Sequence, residues 1–219
     1  GVRDGFFMLI QFTKMTGAGN DFVVIDNRSK HIRDGSALAL RLCDRRWGIG
    51  ADGLLLLEPS SLASYRMMYF NGDGSYGGMC GNGGRCIAAF AKDRGLVSPL
   101  HSFEALDHVY KASVLGEVVE LSMKDPVDIR MNIVLPIAGK RHLCHFVDTG
   151  SPHVVVLLKR KGELETFPVE TVGRRIRNHK RFKPEGTNVN FVEIGDDKTV
   201  SIRTYERGVE SETLACGTG

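Results

Sequence analysis

The sequence predicts an α/β fold built from two copies of one structural unit. Strand-like runs and helix-like segments are mixed in both halves of the 219-residue chain. Both halves also end alike, because an aromatic strand leads from Phe70 to Cys80 over 10 residues and from Tyr205 to Cys216 over 11 residues. Each of these two cysteines is followed directly by glycine. The repeated order of features predicts a duplication.

The individual elements follow from local patterns. Clusters of β-branched and aromatic residues predict strands at 21–26, 65–70, 108–114, 117–123, 127–132, 143–148, 153–158, 188–194 and 198–205. Apolar residues at helical spacing predict helices at 36–46, about 83–94 and near 168–179. Ser36 and Asn82 are the expected N-caps of the first two, which places Cys80 just before a helix N-terminus.

A weaker internal similarity relates 16–26 to 186–195, since each has an Asn just before a strand. The expected boundary lies where Lys124, Asp125 and Pro126 interrupt the strand pattern. The predicted domains are therefore 8–124 and 125–219, with Met8 as the expected natural start and one glycine-flanked cysteine in each domain.

Composition favours a small-molecule partner. The 29 basic and 26 acidic residues leave a net charge of only +3, which predicts no nucleic-acid partner, and the basic stretch 159–183 is interpreted as a solvated surface. No apolar run approaches the roughly 20 residues that span a bilayer, so no membrane partner is expected. An odd number of cysteines, five, predicts free thiols in a reducing, cytoplasmic compartment.

The two glycine-flanked thiols suit acid/base chemistry. A thiol at a helix N-terminus commonly has its pKa lowered from about 8.5 to about 7 or below. One of Cys80 and Cys216 can then remove a proton from a carbon while the other delivers a proton to the opposite face, which inverts a stereocentre. Backbone N–H groups at 81–83 and 217–219 are expected to hold a carboxylate whose charge grows in the transition state. The expected contacts of an α-ammonium group are Asn20, Asn71, Asn82, Asn188 and Glu206. The other three cysteines are expected to be buried, and no spacing predicts a metal site.

Several motifs in order carry a family resemblance: FTKMTGAGNDFVVID, GIGADGLL, FNGDGS, MCGNGGRC, TGSPHVV, TNVNF, YERG and ACGTG. From Phe12 to the last residue the chain resembles the diaminopimelate epimerase family, which epimerises LL-diaminopimelate to the meso form in lysine and peptidoglycan biosynthesis. The resemblance implies two pseudo-symmetric domains, each a mostly antiparallel sheet wrapped around a central helix. It also implies that the family continues beyond the position of Gly219, so the second domain is expected to be incomplete and this form nearly inactive.

The resemblance also assigns the site residues. Cys80 and Cys216 correspond to the two acid/base thiols of this cofactor-independent family. The expected substrate-binding residues are Asn20, Asn71, Gly81, Asn82, Asn188, Glu206, Arg207, Gly217 and Thr218. Arg207 is expected to bind the distal carboxylate of the substrate, because a guanidinium can hold a carboxylate through two hydrogen bonds. His153 is expected near the cleft, and Ser151 stands where some family members carry a substrate-contacting Asn. A homodimer is one assembly that the sequence allows.

Two other functions stay open. A related proline or hydroxyproline racemase would use the same two thiols, but those enzymes tend to have His at the position of Asn82 and Ser-Pro at the position of Leu214-Ala215. A thiol-based redox or binding protein would instead join Cys80 and Cys216 in a disulfide. Exchange of a substrate α-proton with solvent separates the isomerases from the redox protein.

Overall fold

The computed structural model describes residues 9–137, 139–196 and 199–218. Met8, Lys198 and Gly219, which the sequence predictions involve, lie outside the described residues. The chain forms two compact units, the first ending at Leu121 and the second beginning at Ser122. The predicted domain boundary, between residues 124 and 125, lies three residues after this division.

The first unit contains one seven-stranded sheet with the strands in chain order, β1 to β7. The strands are β1 (Thr13–Gly17), β2 (Asn20–Asp26), β3 (Gly53–Glu58), β4 (Tyr65–Asn71), β5 (Leu100–Ala105), β6 (His108–Leu115) and β7 (Val118–Ser122). Pairing is parallel between β2 and β3 and between β4 and β5, and antiparallel in β1–β2, β3–β4 and β5–β6. The helices are α1 (Gly35–Leu42) and α2 (Gly81–Asp93).

Helix α2 is the central helix of this unit and packs against β1, β2, β3, β4 and β6. Its buried side chains include Ile87, Ala88 and Phe90, and its first turn is Gly-Asn-Gly-Gly. The neighbouring strand comes so close that a Cβ built at Gly17 would lie 2.9 Å from both the Asn82 carbonyl oxygen and the Cys86 Sγ. Glycine at this position therefore lets β1 pack directly on the first turn of α2.

The second unit contains a six-stranded sheet in the order β13-β12-β11-β10-β9-β8. Its strands are β8 (Val127–Ile137), β9 (Lys140–Asp148), β10 (Pro152–Leu157), β11 (Asn188–Ile194), β12 (Val200–Glu206) and β13 (Ser211–Thr213). Among these, β10 and β11 pair in parallel and the other neighbours pair antiparallel. The helices α3 (Glu163–Thr166) and α4 (Val169–Arg177) precede a 3₁₀ turn (Lys180–Phe182). Both helices pack on the sheet and help to enclose an apolar core that contains Phe191, Tyr205 and Ile176.

The duplication and the two-domain fold class predicted from the sequence are confirmed by the pairing pattern. The series β1 to β4 pairs antiparallel, parallel and antiparallel, and β9 to β12 repeats that series. In each of these two series a helical connection joins the parallel strands, α1 between β2 and β3 and α3 with α4 between β10 and β11. The similarity between 16–26 and 186–195 was therefore misaligned: β2 corresponds by pairing to β10, and β11 corresponds to β3.

Several predicted element boundaries were wrong. The N-cap of α1 is Asp34, whose carboxylate accepts the Ala37 N–H at 2.9 Å, whereas the Ser36 hydroxyl donates to the Gly74 carbonyl at 2.6 Å. Helix α1 ends at Leu42 rather than at residue 46. The N-cap of α2 is Cys80 rather than Asn82. Elements that the patterns did not predict are β1, β3, β5, β13 and α3.

Candidate active site

Cys80 lies at the N-terminus of α2, where the sequence predicts it. Its backbone is extended, and its Sγ accepts the N–H of Gly83 at 3.4 Å. Its carbonyl accepts the N–H of Gly84 at 2.7 Å, which begins the helical hydrogen bonding. A sulfur in this position is close to the positive end of the helix dipole, an environment that favours the thiolate.

The predicted substrate contacts Asn20 and Asn82 lie together beside this turn. The Asn82 side chain is 2% exposed, and its Nδ2 donates to Asn20 Oδ1 at 2.6 Å. Arg85, one turn later in α2, donates to Asn82 Oδ1. The start of β2 is thereby fastened to the first turn of α2, and the two amides hold each other in defined orientations.

Asp52, a residue to which the sequence analysis gave no role, joins these amides to the rest of the unit. Its Oδ2 accepts from Asn20 Nδ2 at 3.2 Å and from the N–H of Asp21 at 3.1 Å. Its carbonyl accepts the N–H of Gly72 at 2.9 Å, next to Asn71. Asp52 lies within the GIGADGLL motif, but only the parallel pairing of β2 with β3 shows which residues it contacts.

Charged side chains cluster around Asp21 and Asp52. Arg45 bridges Asp21 and Asp52, with N–O distances of 2.8 Å to each, and Lys14 contacts Asp21 at 2.9 Å. Burial alone would raise the pKa of Asp21, but hydrogen bonds from Arg45 and Lys14 outweigh it and hold the pKa well below the usual range. Asp21 is therefore ionised at neutral pH and fixes the strand ends around Asn20.

Asn71 ends β4 and has partners of its own. Its Nδ2 donates to the Ser75 Oγ at 2.9 Å, and its Oδ1 accepts from the Tyr69 hydroxyl at 2.6 Å. The contact between Gly72 and Asp52 connects it indirectly to the Asn20–Asn82 pair. In the first unit, hydrogen bonds thus connect Asn20 and Asn82 directly and link them to the end of β4, next to Asn71, through Asp52.

Cys216 lies in the second unit, in a non-helical stretch after β13. Its Sγ is 3.6 Å from the Thr218 Oγ1, and the Thr218 carbonyl accepts from the Thr149 hydroxyl at 2.6 Å. Gly217 lies between them. The chain after Cys216 is therefore tied to the loop that precedes β10, and Thr149 is a contact that the sequence analysis missed.

His153 is fully buried next to this loop. Its Nε2 is 2.9 Å from the Thr218 Oγ1, and its Nδ1 is 3.0 Å from the Asn190 Nδ2. Burial, reinforced by the nearby charge of Arg207, lowers its pKa from 6.5 to about 4, which leaves the ring neutral at pH 7. Within the second unit, the Thr218 hydroxyl oxygen lies between His153 Nε2 and Cys216 Sγ, at 2.9 Å and 3.6 Å.

Asn188 organises the other predicted residues of this unit. Its Nδ2 donates to the Ser151 Oγ at 3.0 Å and to the Pro152 carbonyl at 3.2 Å, and its Oδ1 accepts the N–H of Arg207 at 2.8 Å. Glu206 is the last residue of β12, directly before Arg207. The parallel pairing of β10 with β11 sets His153 opposite Asn188, so strand register brings these residues together.

The five cysteines fall into two groups by burial. Cys43, Cys86 and Cys144 are buried, and burial raises the pKa of each to about 11. Cys80 and Cys216 are only partly buried. This difference confirms that the other three serve as small core residues and leaves the glycine-flanked pair as the accessible thiols.

Two kinds of feature are absent from the described part of the chain. Within residues 9–137, 139–196 and 199–218, no group of three or more His, Cys, Asp or Glu side chains is arranged to hold a metal ion. Over those ranges, no helix has the length and apolar character needed to cross a membrane.

The family model and the related sequences that match this chain carry the same description. The family model described as diaminopimelate epimerase matches residues 12–133 and 145–219. The diaminopimelate epimerase of Chlorobaculum tepidum is 50% identical over 208 residues, covering 94% of this chain and 78% of the relative. That of Flavobacterium psychrophilum is 43% identical, with 94% and 77% covered.

Solved structures with distant sequences share the fold. A probable proline racemase from Agrobacterium radiobacter has a TM-score of 0.71 at 16% identity, covering 96% of this chain and 74% of that structure. A hydroxyproline epimerase from Agrobacterium vitis has a TM-score of 0.66 at 15% identity, with 95% and 73% covered. Together with the family match over most of its length, the two-unit fold shows that the chain belongs to the diaminopimelate epimerase family of isomerases.

Proposed function

We propose that this chain epimerises LL-diaminopimelate to meso-diaminopimelate, in lysine and peptidoglycan biosynthesis, by moving an α-proton between two thiols. The observation that carries the proposal is the separation of the cysteines into three buried thiols and two partly buried ones, Cys80 and Cys216. Each of the two is hydrogen-bonded in a glycine-containing turn. The substrate is the one for which the related diaminopimelate epimerases are named.

The proposed reaction needs one thiolate and one thiol. The thiolate takes the α-proton from one face of the carbon, and the thiol gives its proton to the opposite face. At the end the roles are exchanged, the substrate has gained and lost one proton, and no electron has moved. Which cysteine starts as thiolate depends on the stereoisomer bound. No cofactor takes part in the proposed reaction.

The difficult step is carbanion formation, because a carbon acid ionises far less readily than a thiol. Preformed N–H donors around the reacting carboxylate lower this barrier, and loss of one such donor typically costs about a hundredfold to a thousandfold in rate. We assign that role to the backbones of Gly81, Asn82, Gly217 and Thr218. Support comes from α2, whose first-turn N–H groups start directly after Cys80.

The remaining predicted residues are proposed to bind the two ends of the substrate. Asn20, Asn71, Asn188 and Glu206 are assigned to the amino-acid group at the reacting carbon, with Ser151 and His153 supporting them. Arg207 is assigned to the distal carboxylate. Among the residues that the structure describes, its guanidinium makes one long contact, 3.4 Å, with the Glu185 carbonyl, and its backbone N–H donates to Asn188. A fixed backbone with a loosely held guanidinium suits capture of a carboxylate.

The test is deuterium exchange at the α-carbon in deuterated buffer. Substrates are LL-diaminopimelate and L-proline, and the proteins are this chain and a chimaera extended at the C-terminus with the remaining residues of the Chlorobaculum relative. We expect exchange of diaminopimelate, fast in the chimaera and slow in the 219-residue chain. The Cys80→Ser variant of the chimaera is the matched control and should lose the exchange.

Three other outcomes of the exchange experiment would contradict part or all of this proposal. Exchange of proline instead of diaminopimelate would assign the chain to the racemases. No exchange of either by a folded, reduced chimaera would return the two thiols to a redox or binding role. Equal rates in the chain and the chimaera would contradict the low activity predicted for the shorter form.

Two further parts of the proposal concern the cellular compartment and the oligomeric state. The odd number of cysteines, five, supports a reducing compartment, the cytoplasm. A homodimer stays a prediction, which sedimentation velocity across a range of protein concentrations tests directly.

A further inference from the structure

The ring of Tyr69 lies in a slot between Gly53 and Gly77, next to Asn71. A Cβ built at Gly53 would lie 2.5 Å from Tyr69 Cε2, and one built at Gly77 would come even closer to Tyr69 Cε1. The φ of neither glycine is in the left-handed region, so the nearby ring, and not the backbone conformation, excludes a larger residue at both positions. The Gly77 N–H donates to the Tyr69 carbonyl at 2.9 Å, and the Phe22 ring meets Tyr69 edge-on, with the ring centroids 6.0 Å apart. Contacts from β2, from β3 and from the loop after β4 therefore hold the ring in place.

The hydrogen bonds around Asn71 run in one direction, which an ionised carboxylate sets. Hydrogen bonds from Ser75 hold the pKa of Asp73 below its usual value, so this carboxylate only accepts at neutral pH. The Ser75 hydroxyl donates to Asp73 Oδ1 at 2.6 Å and accepts from Asn71 Nδ2 at 2.9 Å. The carbonyl end of the Asn71 amide then faces Tyr69, whose hydroxyl donates to Oδ1 at 2.6 Å. Each end of the amide therefore has a partner of the opposite hydrogen-bonding character.

We propose that Tyr69 is a positioning residue, which holds the Asn71 amide in one orientation for the substrate by donating to its carbonyl oxygen. The inference rests on the proposed function in taking Asn71 as a substrate contact. Beyond its two partners, the amide has one further N–H and one further carbonyl lone pair to offer to a ligand. In the reversed orientation these two groups would exchange places, and a donor would face a donor or an acceptor an acceptor. Tyr69 does not touch the substrate in this role.

The start of β3 connects the Tyr69 slot with another predicted substrate contact. Gly53, one wall of the slot, lies opposite Asn71 in the pairing of β3 with β4. Asp52, the residue before Gly53, accepts from Asn20 Nδ2 at 3.2 Å. Two neighbouring residues therefore support two different amides, Asp52 by accepting from Asn20 directly and Gly53 by leaving room for the tyrosine that donates to Asn71.

The kinetic test uses LL-diaminopimelate and the extended chimaera. Tyr69→Phe removes only the hydroxyl, and it should raise KM about fivefold while kcat changes by less than about twofold, because a contact that is equally strong before and during proton transfer contributes to binding alone. Tyr65→Phe is the matched control. Tyr65 is a buried tyrosine at the opposite end of β4, and its hydroxyl is 3.3 Å from His101 Nε2. This control should leave KM and kcat unchanged.

A second readout needs no turnover and uses the 219-residue chain labelled with ¹³C-asparagine. The ¹³Cγ resonance of Asn71, assigned by its loss in Asn71→Ser, reports whether the side-chain carbonyl accepts a hydrogen bond. In Tyr69→Phe this resonance should move upfield, whereas Tyr65→Phe should leave it in place. An unchanged resonance in Tyr69→Phe, or an equal shift in Tyr65→Phe, overturns the proposal.

The two readouts keep this inference apart from the proposed function. If the Asn71 resonance moves as expected but the chimaera exchanges no diaminopimelate, Tyr69 holds the Asn71 amide and the proposed reaction is wrong. If exchange occurs and Tyr69→Phe leaves KM unchanged, the proposed reaction stands and Tyr69 has no positioning role. An equal rise of KM in Tyr69→Phe and Tyr65→Phe would also overturn the positioning role, because it would show a general effect of removing a tyrosine hydroxyl from β4.

Discussion

Acid should lower the free energy of unfolding less in a His153→Gln variant than in the parent chain. Burial lowers the pKa of His153 from 6.5 to about 4 in the folded chain. Because the folded-state value is depressed, the unfolded chain binds the proton first as pH falls. The stabilisation by the neutral ring is complete above pH 6.5 and is lost as pH falls through that value toward about 4.

The magnitude follows from the two pKa values. At pH 4.5 the ring is almost fully protonated in the unfolded chain and about one quarter protonated in the folded chain. The difference lowers the free energy of unfolding by about 2.5 kcal/mol relative to pH 7.5. Gln has no proton to gain in this range, so the His153→Gln variant should lack this part of the pH dependence.

Urea unfolding followed by far-ultraviolet circular dichroism gives the free energy of unfolding at both pH values. The drop between pH 7.5 and pH 4.5 should be about 2.5 kcal/mol smaller in His153→Gln than in the parent chain. His31→Gln, at an exposed histidine of the first unit, is the control and should leave the drop unchanged. Equal drops in the parent and His153→Gln would refute the reasoning, because they would mean that His153 protonates as readily in the folded chain as in the unfolded one.

Three other predictions test the site and its support. Brief treatment with iodoacetamide at pH 8 should label Cys80 and Cys216, whereas the three buried cysteines should react only after unfolding. Peptide mass spectrometry measures the labelling, and equal rates at Cys43, Cys86 and Cys144 would contradict the division into two groups. Asn82→Ala should lower the free energy of unfolding by about 1–3 kcal/mol, because Asn20 Oδ1 and Arg85 lose a buried partner, and a change below 0.5 kcal/mol would show that water replaces it. Gly17→Ala should lower the free energy of unfolding by about 1–3 kcal/mol in the same urea measurement, because its Cβ would lie 2.9 Å from atoms of Asn82 and Cys86. In the control Gly72→Ala the nearest atoms lie at 3.4 Å, so the free energy of unfolding should fall far less.

The sequence predicted the duplicated architecture and the setting of Cys80, because both depend on local patterns. It missed the strand Gly53–Glu58, whose near-continuous run of buried leucines shows no alternation and cannot be told from a helical segment by periodicity. It also chose Asn82 as the cap of α2 over Cys80, because Asn is a favoured N-cap residue and Cys is not. The fold overrides that preference by placing the Cys80 sulfur over the N–H of Gly83.

The connections behind the predicted site residues depend on register, which the sequence does not reveal. Asp52 reaches Asn20 because β2 and β3 are parallel neighbours, and His153 lies opposite Asn188 because β10 and β11 are. The misaligned similarity between 16–26 and 186–195 shows the same difficulty, since two strands with similar sequences hold different places in the two sheets. Motifs therefore identified which residues to consider, and strand pairing determined which of them touch.

The most direct test of the two-thiol account is where solvent deuterium appears in the first few per cent of turnover. The extended chimaera is given protiated LL-diaminopimelate in deuterated buffer, and the α-carbons of substrate and product are analysed separately. Two thiols acting on opposite faces predict deuterium in the meso product while the recovered LL substrate stays protiated. Equal deuterium in substrate and product would show that one group handles both faces, which would contradict the assignment of separate roles to Cys80 and Cys216.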